Sequence, residues 1–182
     1  MHLMTRRTLL AAGTGLLALP ARAHGPTRQK VTQTADIART PDQVWAIIAP
    51  FDAISKWHPA VASSPADRGN EPGSKRTLTL RASGDPSFVE ELVKHDAAAR
   101  MYQYKIDKVD PKVLPVNNYV AWMEVTLNPA GGSTLEWRAA FYRGYMLNDP
   151  PADLNDVASA RAVTGVFRAG LDNIKAIAER VG

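Results

Sequence analysis

Four ionisable side chains stand where they could do chemistry: His58, Arg76, Glu90 and Arg138. His58 follows a short predicted helix, where its imidazole could donate a hydrogen bond to an anionic ligand or act as a general acid or base near neutral pH. The alternative is that His58 bonds to the backbone at the end of that helix. No residue is predicted outright to be catalytic; if the protein is an enzyme, His58 and Glu90 are the candidates.

The two arginines lie in predicted strands, where alternate residues face the same side of a sheet. Arg76 shares a face with Leu78 and is therefore predicted to point inward, where it needs a partner such as Glu90. Arg138 shares a face with Glu136, and that face could either line a pocket or be solvated.

Aromatic and other apolar side chains of the middle strands and the last helix could line a cavity or could simply pack in a core. With the ionisable residues they give the predicted ligand pocket: His58, Arg76, Leu78, Glu90, Tyr102, Tyr119, Met123, Arg138 and Phe167. Residues 142–147 are predicted to present a partner surface through Tyr142, Tyr145 and Met146, or else to fold over the cavity mouth.

Hydrophobic periodicity predicts the elements that position these residues. Thr40-Pro41-Asp42-Gln43 begins a helix with a capping box, and a second short helix follows at 51–56. Period-two alternation predicts strands over 30–38, 76–81, 88–94, 101–106, 119–127 and 134–141. Apolar residues at steps of three or four predict a long helix over 156–181 with Asn155 as its N-cap. Gly165 and Gly170 of this helix allow either close packing on the sheet or room for a ligand.

This order of elements predicts an α+β helix-grip fold. A curved antiparallel sheet of about six to seven strands would wrap around the long C-terminal helix, with two short helices after the first strand. A cavity between helix and sheet is expected. We predict a leader over 24–29 and a single domain over 30–182.

Residues 1–23 are predicted to be a cleaved export signal. Arg6 and Arg7 precede an uncharged apolar run over 8–19, and Ala21-Arg22-Ala23 has the small-x-small pattern of a cleavage site. The run is shorter than the ~20 residues of a membrane span. The paired arginines also resemble a twin-arginine signal, so either export route is open. We expect a periplasmic protein, cleaved after Ala23, without a membrane span after cleavage.

The net charge of the chain comes largely from this segment. The 182 residues carry a net charge of +4 and no cysteine; without residues 1–23, 19 of the 22 basic residues remain against 18 acidic ones, a net charge of +1. This balance argues against nucleic-acid binding. The lack of cysteine excludes disulfides, thiolate catalysis and cysteine-ligated metals.

The sequence holds no metal-spaced cluster, glycine-rich phosphate loop or nucleophile elbow, so no cofactor and no metal are predicted. One exception concerns His24. After cleavage its free α-amino group and imidazole could chelate Cu(II), given another histidine such as His95.

Short motifs follow one another in a fixed order along residues 30–181. They are Pro41-Asp42-Gln43-Val44-Trp45, Phe51-Asp52, Trp57-His58-Pro59, Gly73-Ser74-Lys75-Arg76-Thr77-Leu78, Glu90-Glu91-Leu92, Tyr102-Gln103-Tyr104, Leu114-Pro115-Val116, Glu136-Trp137 and Gly170-Leu171. Together they resemble the SRPBCC superfamily, in its START-related, polyketide cyclase/dehydrase-like branch. That resemblance implies the helix-grip fold and a ligand cavity.

Three further segments, 23–27, 141–144 and 150–156, resemble the exported MxaD-type proteins linked to methanol oxidation. This resemblance implies a role in the periplasm beside methanol dehydrogenase and its cytochrome c acceptor. It implies no mechanism.

The resemblance extends to plant hormone receptors of the same fold, whose pocket lysine, glutamate and tyrosine correspond to His58, Glu90 and Tyr119. Their two gate loops correspond to Ser83, Gly84, Asp85, Pro86 and Ser87, and to residues 110–116 with Pro115. Because His58 departs from lysine, carboxylate binding as in those receptors is not implied.

These inferences lead to one hypothesis and one alternative. The hypothesis is a non-enzymatic periplasmic accessory or carrier protein that holds a small apolar or aromatic ligand or docks on the methanol-oxidation machinery. The alternative is an enzyme, a cyclase, dehydratase or lyase, that uses the same cavity.

Overall fold

The computed structural model describes residues 25–180. The strands are β1 (Gln29–Ile37), β2 (Val61–Ser63), β3 (Lys75–Leu80), β4 (Ser87–Asp96), β5 (Met101–Lys108), β6 (Val116–Leu127) and β7 (Ser133–Arg143). The helices are α1 (Pro41–Ile48), α2 (Ile54–Trp57) and α3 (Asp156–Arg180), and a 3₁₀ turn at Phe51–Ala53 precedes α2. The predicted export signal, its cleavage site and the copper hypothesis for His24 lie outside the described residues.

The seven strands form one antiparallel sheet in the order β1-β7-β6-β5-β4-β3-β2. Irregularities in register interrupt the β4–β5 and β6–β7 pairings, and bulges of this kind bend a sheet. The predicted helix-grip fold is confirmed. The additional strand is β2, whose three residues are too few to show an alternating pattern.

Side-chain caps fix where two of the helices begin. The Thr40 hydroxyl accepts a hydrogen bond from the Gln43 N–H at 3.4 Å, and the Gln43 side chain accepts one from the Thr40 N–H at 3.0 Å. This is the predicted capping box. The Asn155 carboxamide accepts a hydrogen bond from the Ala158 N–H at 2.9 Å, so Asn155 caps α3 as predicted.

Helix α3 packs its apolar stripe against the sheet. The Phe167 ring stacks on Trp137 with ring centroids 4.3 Å apart, and Leu171 and Ile174 of the next turns are fully buried. Burial of this stripe is the main stabilisation of the helix, because helix propensity alone contributes little in water. Among residues 25–180, neither α3 nor any other helix is both long and apolar enough to cross a membrane.

Polar side chains also tie α3 to the beginning of the domain. Arg168 donates a hydrogen bond to the Thr34 carbonyl at 3.1 Å, and Lys175 donates one to the Asp36 carbonyl at 2.7 Å. Both carbonyls belong to β1, the strand at one edge of the sheet. Arg39, just after β1, donates to a carbonyl in the last turn of α3 at 3.0 Å. The last helix is therefore bonded to the first strand.

Candidate functional site

A cavity of about 90 Å³ lies between α3, the end of α2 and the middle of the sheet. A space of this size exceeds what a single water molecule needs. Most of its walls are apolar, and the polar side chains among them are His58, Glu90, Tyr104 and Tyr119. The other lining residues are Ile54, Ala60, Val61, Leu78, Leu80, Phe88, Ile106, Val113, Leu114, Trp137 and Val166. Such a cavity suits a small apolar or aromatic molecule.

Both ring nitrogens of His58 are bonded to the backbone. Nδ1 accepts a hydrogen bond from the Ala60 N–H at 3.2 Å, and Nε2 lies 3.0 Å from the Val166 carbonyl oxygen. A carbonyl only accepts, so Nε2 carries the proton and the ring is the neutral tautomer. Burial lowers the pKa of His58. The hydrogen bond to the Val166 carbonyl raises it in part, and the positive charge of Arg76 lowers it further. The ring therefore lines the cavity without a free polar atom.

Arg76 and Glu90 form an ion pair under the cavity. They face each other across β3 and β4, and both side chains are buried. Arg76 Nε donates to Glu90 Oε2 at 2.6 Å, while Nη1 donates to the Phe51 carbonyl at 2.5 Å. Nη2 lies 2.6 Å from the same Oε2 but off the line of a hydrogen bond. Glu90 reaches the cavity, and Arg76 lies behind it.

Burial and the partner charge act in opposite directions on each member of the pair. Burial raises the pKa of the Glu90 carboxyl, and Arg76 opposes that rise. Burial alone would lower the pKa of Arg76, but the Glu90 charge outweighs it, so the pKa of Arg76 is raised. Removing either partner would leave an uncompensated buried charge.

Two tyrosines complete the polar part of the wall. Trp137 Nε1 donates a hydrogen bond to the Tyr104 hydroxyl at 3.0 Å, and the Tyr104 and Tyr119 rings lie with centroids 6.2 Å apart. Burial raises the pKa of Tyr119, although a hydrogen bond from Tyr104 lowers it in part. Both hydroxyls are therefore protonated near neutral pH and can donate or accept hydrogen bonds.

The loop between β5 and β6 forms part of the cavity wall. Val113 and Leu114 of this loop line the cavity. Pro115 does not, but its carbonyl accepts a hydrogen bond from the Ser159 hydroxyl at 2.6 Å, which ties the loop to α3. Pro115 therefore holds the loop in place.

The other predicted gate loop lies away from the cavity wall. Ser83, Gly84 and Asp85 are exposed and Pro86 is partly buried, and none of them lines the cavity. The wall at this point comes instead from the strands on either side, through Leu80 and Phe88.

Five predicted pocket residues do not line the cavity. Arg76 lies behind Glu90. Tyr102 donates a hydrogen bond to the Met123 sulfur at 2.8 Å, and both side chains are buried in the core. Phe167 is also buried, with its ring stacked on Trp137. The pocket position of Arg138 requires correction. It lies on the opposite face of the sheet from Trp137, partly exposed, where it bonds to Glu124 at 3.1 Å and to Glu136.

The predicted partner surface is a loop held from beneath by Arg143. The buried Arg143 side chain donates to the Tyr145 carbonyl at 2.7 Å and to the Leu147 carbonyl at 2.9 Å. Leu147 is 68% exposed and Met146 40% exposed, while Tyr142 and Tyr145 are partly buried. The loop does not fold over the cavity.

Three of the lining residues that were not predicted from the sequence share a strand face with a predicted pocket residue. Leu80 follows Leu78 on the same face of β3, Phe88 precedes Glu90 on β4, and Ile106 lies on the face of Tyr104. Strand parity could have found them. Val166 and Ile54 carry no such signal, because their place depends on how the helices cross the sheet.

Gly170 explains how α3 comes so close to this wall. A Cβ atom here would lie 2.7 Å from the Trp137 ring and 2.9 Å from the His58 ring. At Gly165 nothing lies within 4 Å. Gly170 therefore serves close packing, and neither glycine opens space for a ligand beneath the helix.

Metal chemistry has no candidate in the described part of the chain, where no group of three or more histidine, aspartate or glutamate side chains could hold an ion. His95, the other histidine of the copper hypothesis, bonds to the Ala49 carbonyl at 2.9 Å through Nε2.

The family model described as polyketide cyclase/dehydrase and lipid transport matches residues 28–179. No match to the chain was found among curated proteins.

Solved structures share the fold at low sequence identity. The XoxI protein from Bacillus cereus is 23% identical, with 81% of this chain and 94% of that chain covered and a TM-score of 0.67. Norcoclaurine synthase from Thalictrum flavum, in complex with dopamine and hydroxybenzaldehyde, is 12% identical, with coverages of 97% and 99% and a TM-score of 0.66. The Zhui aromatase/cyclase from Streptomyces sp. R1128 is 16% identical, with coverages of 85% and 95% and a TM-score of 0.64.

Proposed function

The chain belongs to the polyketide cyclase/dehydrase and lipid transport family, and from that premise we propose that it binds a small apolar or aromatic ligand in the cavity between α3 and the sheet. The observation that carries the proposal is the wall of this cavity, which is apolar except for four side chains. Burial of an apolar molecule there would be driven by the hydrophobic effect, and the few polar groups would orient it.

The state of the polar groups favours binding over catalysis. A general acid or base must exchange a proton with the substrate, and it needs a free polar atom within hydrogen-bond reach. His58 has none, because both of its ring nitrogens are bonded to the backbone. Glu90 keeps one oxygen free, but its other oxygen is paired with Arg76, and that positive charge opposes protonation of the carboxylate. The leading proposal is therefore a carrier or accessory protein.

The pKa of Glu90 supports the alternative that the protein is an enzyme. Burial raises the pKa of Glu90, and a carboxyl group with a raised pKa at a cavity wall is a common general acid or base. Under this alternative a cyclase, dehydratase or lyase would use Glu90 on a carbonyl compound. Such an enzyme would turn over a ligand that a carrier would release unchanged.

A native mass spectrum of the protein purified from its own organism tests the leading proposal. We expect a co-purifying small molecule that is lost in Leu80→Trp, because the larger side chain would fill the cavity. Leu127→Trp is the matched control, since Leu127 is 69% exposed and does not line the cavity. Ligand retention in Leu80→Trp would refute binding in this cavity, and a chemically altered ligand after incubation would favour the enzyme.

We also propose that the protein is exported to the periplasm and supports methanol oxidation beside methanol dehydrogenase and its cytochrome c. The support is the signal-like sequence of residues 1–23 and the resemblance to MxaD-type proteins. The exposed Met146 and Leu147 offer an apolar contact. The test is co-purification with the dehydrogenase or the cytochrome from periplasm, which Met146→Ser/Leu147→Ser should abolish. Recovery of the protein from the cytoplasm alone would refute the proposal.

A further inference from the structure

The carboxylate of Glu90 uses only one of its two oxygens within the protein. Arg76 Nε and Nη2 both contact Oε2 at 2.6 Å. None of the described residues donates a hydrogen bond to the other oxygen, Oε1. Four side-chain polar atoms in the described part of the chain are sealed from solvent without a hydrogen-bond partner. Oε1 is not one of them, so this unbonded oxygen is not sealed in the core. Because Glu90 lines the cavity, its free oxygen faces that space.

The cavity offers no cationic donor to match a negatively charged ligand. The His58 N–H is already given to the Val166 carbonyl. The Arg76 guanidinium is engaged by Glu90 and by the Phe51 carbonyl, and it lies outside the lining. The groups that remain for a ligand are an ionised oxygen of Glu90, which only accepts, and the hydroxyls of Tyr104 and Tyr119.

The charges around Glu90 limit which class of ligand the cavity can bind. The Arg76–Glu90 pair is neutral as a unit and buried. A carboxylate ligand would add a second negative charge beside Glu90, and an ammonium ligand would add an unbalanced positive charge in an apolar space. Both are costly in a region of low dielectric constant. An uncharged donor leaves the balance unchanged and satisfies Oε1.

The geometry points to an uncharged hydroxyl compound, a phenol or an alcohol of roughly single-ring size, that donates its O–H to Glu90 Oε1. This inference rests on the proposed function, because it names the class of ligand for the same cavity. It differs from the expectation that His58 could donate to an anionic ligand, since that N–H is already used.

Four probes test the inference on the unmodified protein at neutral pH: phenol, toluene, benzoate and benzylammonium. Dissociation constants are measured by NMR titration of the protein. Phenol and toluene have nearly the same shape and differ in the donor, so we expect toluene to bind at least about tenfold more weakly than phenol. Benzoate and benzylammonium should bind more weakly still. The inference is overturned if toluene binds as tightly as phenol, or if either charged probe binds more tightly.

Variants then identify the acceptor and separate this inference from the proposed function. Glu90→Gln should remove most of the preference for phenol over toluene, and Tyr119→Phe should retain it; the reverse result would overturn the assignment to Glu90. If Glu90→Gln does not fold, Tyr119→Phe and the four probes still decide. Toluene binding equal to phenol and lost in Leu80→Trp would overturn only the donor inference. If no probe binds the unmodified protein, the proposed function and this inference both fail.

Discussion

Alanine substitutions at Gly170 and Gly165 of α3 are expected to change the free energy of unfolding in opposite directions. In Gly170→Ala the new methyl group would lie 2.7 Å from Trp137 and 2.9 Å from His58, closer than carbon atoms pack. Overpacking of this kind costs about 1–3 kcal/mol. The gain in helix propensity is at most about 1 kcal/mol. We therefore expect Gly170→Ala to lower the free energy of unfolding by about 1–2 kcal/mol.

Gly165→Ala is the matched control. This position is exposed and nothing lies within 4 Å of the new methyl group, so the variant keeps the gain in propensity, about 0.5–1 kcal/mol. Urea unfolding monitored by tryptophan fluorescence measures both variants. A difference of ~2 kcal/mol also corresponds to a difference in Tm of roughly 4–8 °C for a domain of this size. Equal stabilities for the two variants would refute the close approach of α3 to the Trp137 and His58 rings.

Three further predictions concern the polar groups around the cavity. Arg76→Met should lower the free energy of unfolding by about 3–5 kcal/mol in urea unfolding, because Glu90 is left charged and buried. Arg76→Met/Glu90→Leu should recover most of that loss, and a double variant no more stable than the single one would contradict the prediction. Burial lowers the pKa of His58, so as the pH falls below about 6.5 the unfolded chain takes up a proton at this histidine before the folded chain does. The free energy of unfolding should therefore fall toward acid pH by up to about 1.4 kcal/mol per pH unit. His58→Gln should flatten that part of a stability–pH curve, and an unchanged slope would contradict the assignment. Ser159→Ala removes the 2.6 Å bond to the Pro115 carbonyl and should speed amide hydrogen exchange in the β5–β6 loop, while unchanged exchange would show that the bond does not hold the loop.

The sequence was sufficient for features that depend on local chemistry. The capping box at Thr40, the cap at Asn155 and every strand of the sheet except β2 follow from neighbouring residues alone. The inward position of Arg76 and its pairing with Glu90 also follow, because strand alternation fixes a face and a buried charge needs a partner.

The extent of the cavity could not be predicted, because it depends on how the sheet bends beneath α3. Tyr102 and Tyr104 share a face of β5 and both are buried, yet only Tyr104 reaches the cavity. The bonds of His58 depend on Val166, which is 108 residues away in sequence. Alternation alone placed Arg138 beside Glu136 on a face that could be solvated, and the structure shows it partly exposed there.

The bonds between α3 and β1 determine the order in which the core can close. Thr34 and Arg168 are 134 residues apart, and Asp36 and Lys175 are 139 apart. During synthesis, all seven strands leave the ribosome before α3 does. Until then the apolar wall and the carbonyls of β1 have no partner within the chain, so nascent protein is exposed to misassociation at this face. Contacts at such separation also predict slow folding.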